Sequence, residues 1–191
     1  MTDHDLGRTL LTLARSAIAE ELGLPSRAVP SDAQLLQPAA TFVTLHEAGE
    51  LRGCIGSIAP ARPLGVDVRH NAIAAAFRDP RFPPLSVAEF DAIEIEVSLL
   101  SAAEPMDVVD EADLRARLRP GLDGLILECG RHRATFLPQV WETLPKARDF
   151  LSALKRKAGL PRDFWSPEMR VSRYGVTKWA ESTSAPDEPE P

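Results

Sequence analysis

Cysteine is scarce in this chain: Cys54 and Cys129 are the only two among 191 residues. Two thiols cannot build a disulfide framework, and without export they stay reduced. No C-x-x-C, no H-x-x-x-H and no Cys/His cluster with zinc spacing is present, so no metal is expected. A phosphate loop and a dinucleotide fingerprint are also missing, and no cofactor is assigned. No apolar run approaches the roughly 18 residues of a membrane-spanning helix. The opening Met1-Thr2-Asp3-His4-Asp5 is polar and acidic, unlike a signal peptide. These absences point to the cytoplasm and away from a membrane. Aromatics make up only 6% of the chain and suggest no stacking platform for RNA. The net charge of −6 is mostly tail: Glu181, Asp187, Glu188 and Glu190 contribute −4, leaving −2 on the rest. Such a body carries no electrostatic footprint for general nucleic-acid binding, although a local basic pocket is compatible with it.

What is present reads as an α+β chain, long enough for one large domain or two small lobes. Leu6, Leu10, Leu13 and Ala17 form an amphipathic helical stripe, closed by Gly23. Residues 25–38 are turn-rich and read as irregular. Thr41 to His46 and Leu51 to Ile58 read as a hairpin joined by Glu47-Ala48-Gly49-Glu50. Pro63 opens a helix to Phe77, with Val66, His70, Ile73 and Phe77 as its inward stripe and His70 as a packed core residue. The prolines of Asp79-Pro80-Arg81-Phe82-Pro83-Pro84 break that helix. Ser86-Val87-Ala88-Glu89 fits a capping box. Ile93 to Leu99 alternates as a strand, with Glu94 and Glu96 on a solvated face. A helix is predicted over Asp110 to Leu118. A second hairpin, Leu125 to Cys129 and Arg133 to Leu137, turns at Gly130-Arg131-His132, leaving His132 solvated. Ala147 to Ala158 is helical, stopped by Gly159-Leu160-Pro161. Met169 to Trp179 reads as one last strand, and 181–191 as a disordered acidic, proline-rich tail. The two hairpins predict a largely antiparallel sheet with flanking helices.

The chemistry concentrates at Leu51-Arg52-Gly53-Cys54-Ile55-Gly56. In a regular strand Arg52 and Cys54 share a face, and a guanidinium beside a thiol favours the nucleophilic thiolate. Gly53 and Gly56 would leave backbone amides open to a ligand. Against this, free cysteine is often simply buried, and strand glycines often serve bulges. A symmetric turn puts His46 on the face opposite Cys54, leaving the thiol without a base, although a one-residue slip reverses that. Cys129 continues the apolar face of Leu125 and Leu127 and reads as a small core residue.

The hexapeptide occurs with Asn71-Ala72-Ile73-Ala74-Ala75-Ala76-Phe77, Asp79-Pro80-Arg81-Phe82-Pro83-Pro84-Leu85, Glu94-Ile95-Glu96-Val97-Ser98-Leu99-Leu100 and Ala134-Thr135-Phe136-Leu137-Pro138-Gln139-Val140-Trp141. Together these segments resemble the AMMECR domain family, whose prokaryotic members are called AmmeMemoRadiSam system protein A. The resemblance spans roughly residues 8 to 180 and implies a single domain over 1–180. Its fold would be α+β, with two unequal lobes packed as one unit and the hexapeptide near a groove between them. It also implies association with a Memo-like protein and a radical S-adenosylmethionine (SAM) protein, acting on a peptide, other macromolecule or small-molecule substrate. Carried over by position, Cys54 and Arg52 are the catalytic candidates. Gly53, Gly56, Asn71, Arg81, Thr135 and Gln139 are the binding candidates, with Asp79 and Phe82 as motif residues that could simply hold their loop. Arg81 either points into the groove, the favoured reading, or pairs with Asp79. Two functions stay open: Cys54-dependent catalysis, or a non-catalytic module that presents a peptide or nucleotide to partner enzymes.

Overall fold

The computed structural model describes residues 3–29 and 32–181. The chain divides into two compact units, one running to Leu100 and resuming at Thr177, the other comprising Ser101–Val176.

The first unit opens with α1 (Asp3–Glu21), which buries Leu10, Leu13 and Ala17 of the predicted stripe and also Ile18. Gly23, at φ 71°, ends it in the left-handed conformation that glycine tolerates. Within the stretch expected to be irregular, Asp32 accepts the Gln34 N–H and caps a single 3-10 turn, Ala33–Leu36. Then come β1 (Pro38–Ala39), β2 (Thr41–Glu47) and β3 (Glu50–Gly56). The β2–β3 connection is tighter than the predicted four residues. Ala48 and Gly49 alone make the turn, both at positive φ, as a two-residue hairpin requires.

After β4 (Arg62–Pro63) the chain enters α2 (Leu64–Phe77). Its buried face centres on Leu64, Asp67, Val68, Asn71, Ala72 and Ala75, and of the stripe read from the sequence only Ile73 and Phe77 pack against the core. Val66 and His70 are exposed, so His70 is not a core residue. Small size decides here, because the alanines let the helix backbone settle onto the sheet. A 3-10 turn at Val87–Glu89 leads to β5 (Ile93–Leu100).

The second unit holds β6 (Glu104–Met106), α3 (Glu111–Arg117), β7 (Gly124–Cys129), β8 (His132–Phe136), α4 (Val140–Thr143), α5 (Ala147–Lys157) and β9 (Arg170–Tyr174). Its sheet runs β6-β9-β7-β8. Leu125, Leu127 and Val171 pack with Phe150, Leu151 and Leu154 of α5. Trp141 stacks on Phe150 with ring centroids 3.9 Å apart, while its indole N–H donates to the Asp123 carbonyl at 2.7 Å. His132, expected to be solvated, instead bonds the Ala158 carbonyl oxygen through Nδ1 at 2.9 Å.

The chain returns to the first unit through β10 (Val176–Ala180), completing a sheet of order β10-β5-β2-β3. The single strand expected over Met169 to Trp179 is therefore two strands, β9 and β10, because its halves join different sheets. Val43, Leu45, Ile95 and Val97 line the sheet face that packs with α1 and α2. Glu181, expected to begin a disordered tail, is anchored: both carboxylate oxygens take Arg15 at 2.6 Å, and one also accepts the Ile95 N–H. Residues 182–191 of that expected tail lie outside the described residues. The fold is α+β, with antiparallel pairing in β2–β3, β2–β5, β7–β8, β7–β9 and β6–β9. Among the described residues, no helix is long and apolar enough to cross a membrane.

Candidate functional site

The β2–β3 ladder contains a bulge that re-aims the site. His46 pairs with Leu51, but Leu45 pairs with Gly53, so Arg52 is the extra residue. Below the bulge Thr44 pairs with Cys54 and Val43 with Ile55. Two consequences correct the regular-strand reading. Alternation no longer puts Arg52 and Cys54 on one face, and His46, two residues from Thr44 on β2, shares the Cys54 face.

Arg52 is committed elsewhere. Its Nε donates to Glu89 Oε1 at 2.8 Å and its Nη2 to the Pro83 carbonyl at 3.0 Å, with the side chain only 9% exposed. Its Nη1 is buried without a hydrogen-bond partner in the structure. Glu89 reaches this position through the capping box read from the sequence: its Oε2 accepts the Ser86 N–H at 2.8 Å and hydroxyl at 2.7 Å. The Arg52 hydrogen bond, then those from Ser86, hold the Glu89 carboxyl down to about 2.

The Cys54 backbone faces the free edge of β3, the outermost strand of its sheet. There the Asp79–Arg81 loop takes the place of a neighbouring strand. The Cys54 N–H donates to Asp79 Oδ2 at 2.9 Å, and Arg81 Nη2 donates to the Cys54 carbonyl at 3.3 Å. Arg81 also closes on Asp79 through Nε at 2.9 Å and Nη2 at 2.7 Å, so the Asp79 pair expected as one of its two readings is formed. The Arg81 bonds first, then the Cys54 and Arg81 backbone N–H groups, hold the Asp79 carboxyl far below the ordinary range. Asp79 bonding raises the Arg81 guanidinium above its usual value, with a smaller contribution from the Cys54 side chain.

At both glycines the space a side chain would take is already occupied. A Cβ on Gly53 would overlap the Ala75 carbonyl oxygen of α2, and one on Gly56 would overlap the Phe42 ring. Asn71 is buried: its amide donates to the Thr41 carbonyl at 2.9 Å and to Asp67 Oδ2 at 3.0 Å. Asp67 also accepts the Thr41 N–H and hydroxyl, the Ser57 hydroxyl and Arg62 Nε. This network pins α2 to the start of β2, and sequence reading missed its centre, Asp67. The signal was there: an acidic residue in the first turn of the helix, four residues before Asn71. Thr135 and Gln139 belong to the second unit. Thr135 bonds the Tyr174 hydroxyl at 2.9 Å, and Gln139 is exposed where α4 begins.

Register lays out the Cys54 face. Cys54, Thr44 and Glu96 lie in one cross-strand row, since Thr44 pairs with both. The Thr44 hydroxyl donates to Cys54 Sγ at 3.4 Å. Glu96 takes the Ser98 hydroxyl at 3.5 Å and Lys178 Nζ at 3.4 Å. The row is partly to fully buried, whereas Glu96 had been read as a solvated face residue.

The AMMECR1 family profile matches residues 11–179, which include all of these elements except the ends of α1 and β10. The chain belongs to the AMMECR1 family. A relative from Methanothermobacter thermautotrophicus is 45% identical over 180 residues, covering 90% of this chain and 92% of the relative. One from Thermotoga maritima is 38% identical and covers 81% and 84% respectively. A crystal structure of a Pyrococcus horikoshii protein superposes with a TM-score of 0.76 at 34% identity, covering 93% of this chain and 92% of that one. The AMMECR1 fold thus spans both units, with the Cys54 hexapeptide on the edge strand of the first.

Proposed function

We propose that this AMMECR1 protein is a cytoplasmic recognition component of a modification system containing a Memo-like protein and a radical SAM protein. The face around Cys54 holds a peptide or small-molecule substrate for those partners, and the thiol contacts it without acting as a nucleophile. The observation that carries this reading is the Arg52–Glu89 pair, whose two members neutralise each other. The expected activator therefore spends its charge on a carboxylate. The thiol's hydrogen bond comes from a neutral Thr44 hydroxyl, which is no general base at neutral pH. What remains is a row of thiol, hydroxyl, carboxylate and ammonium, spaced about 5 Å per strand, suited to grading polar groups along a ligand.

The catalytic reading keeps two observations in its favour, the first being that the bulge brings His46, a residue type able to act as a base, to the Cys54 face. The second is that Arg81, half exposed and bonded to the Cys54 carbonyl, brings a cation to the same residue. Genetic replacement separates the two readings. The gene is deleted and then complemented with Cys54→Ser, while small molecules and proteins are compared by mass spectrometry. Products lost on deletion return with Cys54→Ser if the protein is a recognition component. Their continued absence, with the variant present at wild-type abundance, favours catalysis by the thiol.

A further inference from the structure

The second unit carries a basic concavity of about 750 Å³, separate from the residues around Cys54. Helix α5 repeats Arg148, Ser152 and Arg156 at four-residue spacing, which puts all three on one side of the helix. Arg115 of α3 and Arg162, just beyond α5, line the same concavity.

Many of the chain's arginines are already committed to carboxylates. Arg15, Arg52, Arg62, Arg81, Arg117 and Arg119 each bind a carboxylate. Among the described residues, Arg115, Arg148, Arg156 and Arg162 have no such partner, although Asp149 and Asp163 border the same space. The remaining carboxylate of the lining, Glu111, is taken by Lys155, which is fully buried. Lys155 Nζ also donates to the Arg162 carbonyl at 2.8 Å, so the wall carrying Arg162 is braced from beneath. Four unpaired guanidiniums thus face two unpaired carboxylates, on a chain whose overall charge is negative.

Guanidinium forks match phosphate oxygens bidentately, and keep their charge at any physiological pH. The volume lies within the range of about 300–1,000 Å³ typical of small-molecule sites, which favours a compact ligand over an extended acidic peptide. Asp149, Asp163 and the Ser152 hydroxyl supply acceptors and a donor of the kind that bind sugar hydroxyls. We propose that this concavity binds a phosphorylated small molecule of nucleotide size, with its phosphates held by Arg115, Arg148, Arg156 and Arg162. The site is independent of the reading given to Cys54.

Titration calorimetry on the full chain at about 0.15 M salt, a concentration that screens diffuse attraction, tests it with inorganic pyrophosphate and with ATP. The expected result is saturable 1:1 binding of both, with ATP the tighter. Arg148→Ala/Arg156→Ala should weaken both by roughly tenfold or more, while Arg131→Ala/Arg170→Ala, removing the same charge from residues outside the concavity, should leave them unchanged. No binding of either probe overturns the proposal. Equal weakening by the two double variants overturns it in favour of diffuse electrostatics, and tighter binding of a glutamate-rich peptide than of ATP overturns it in favour of a peptide dock. Because all four arginines are exposed, both double variants should fold, and matching circular dichroism spectra check this.

Discussion

Asp79 and Cys54 lie 25 positions apart, yet the Cys54 N–H donates to the Asp79 carboxylate at 2.9 Å. The same carboxylate holds the Arg81 guanidinium, which in turn bonds the Cys54 carbonyl. Three residues thus close the edge of a strand that has no further strand beside it, a common need of sheet edges.

Removing the carboxylate should therefore loosen both the edge and the loop. Asp79→Ala should cost about 2–3 kcal/mol in urea unfolding, the scale of hydrogen bonds to a buried charge. Asp79→Asn, which keeps the shape and one acceptor, should cost less. A loss below roughly 0.5 kcal/mol for the alanine variant would show that the loop holds β3 without this clamp.

Acid should undo the neighbouring pair in a defined window. Glu89 has its folded-state value depressed to about 2 from an ordinary 4.5. A depressed carboxyl contributes stability that is fully present above its unfolded value and is lost as pH falls through the folded one. Melting temperature should therefore drop between about pH 4.5 and pH 2, and Glu89→Gln should reduce that slope. Asp79, depressed further, adds to the loss in the same direction. Identical acid slopes for wild type and Glu89→Gln would contradict the Arg52–Glu89 assignment.

Glycine substitutions separate close packing from backbone freedom. Gly53→Ala drives a methyl into the Ala75 backbone carbonyl and should cost about 3 kcal/mol, since neither β3 nor α2 can retreat without parting the core. Gly130, at φ 56° with open space around it, should cost only about 1 kcal/mol as alanine. Denaturant unfolding of the two variants checks the order, and the reverse order would mean that α2 is not seated on Gly53.

Much of this was legible in the residues. Periodicity located α1, α5 and β5 closely, because long amphipathic patterns leave few alternatives. The capping box at Ser86 was visible, and it turned out to deliver the Arg52 partner. The place of the bulge was not visible. Gly53 allowed for a bulge without fixing where the extra residue falls, and one unpaired position reverses which side chains meet. The α2 face was half misjudged for a related reason: Ile73 and Phe77 do pack against the core, but bulk also suggested Val66, while the closeness of Gly53 to Ala75 selected the alanines. Long-range partners such as Asp67 with Thr41, or Glu96 with Thr44, follow from register and topology, which local pattern does not encode.

The central claim is that Cys54 is held for recognition and is not an activated nucleophile. It is tested most directly by the rate of iodoacetamide alkylation at about pH 7, in a Cys129→Ser background so that only one thiol reports. The account predicts that Cys54 reacts no faster than glutathione under the same conditions, because Arg52 is spent on Glu89. A rate roughly tenfold above glutathione would contradict it and restore the thiol as the reactive centre.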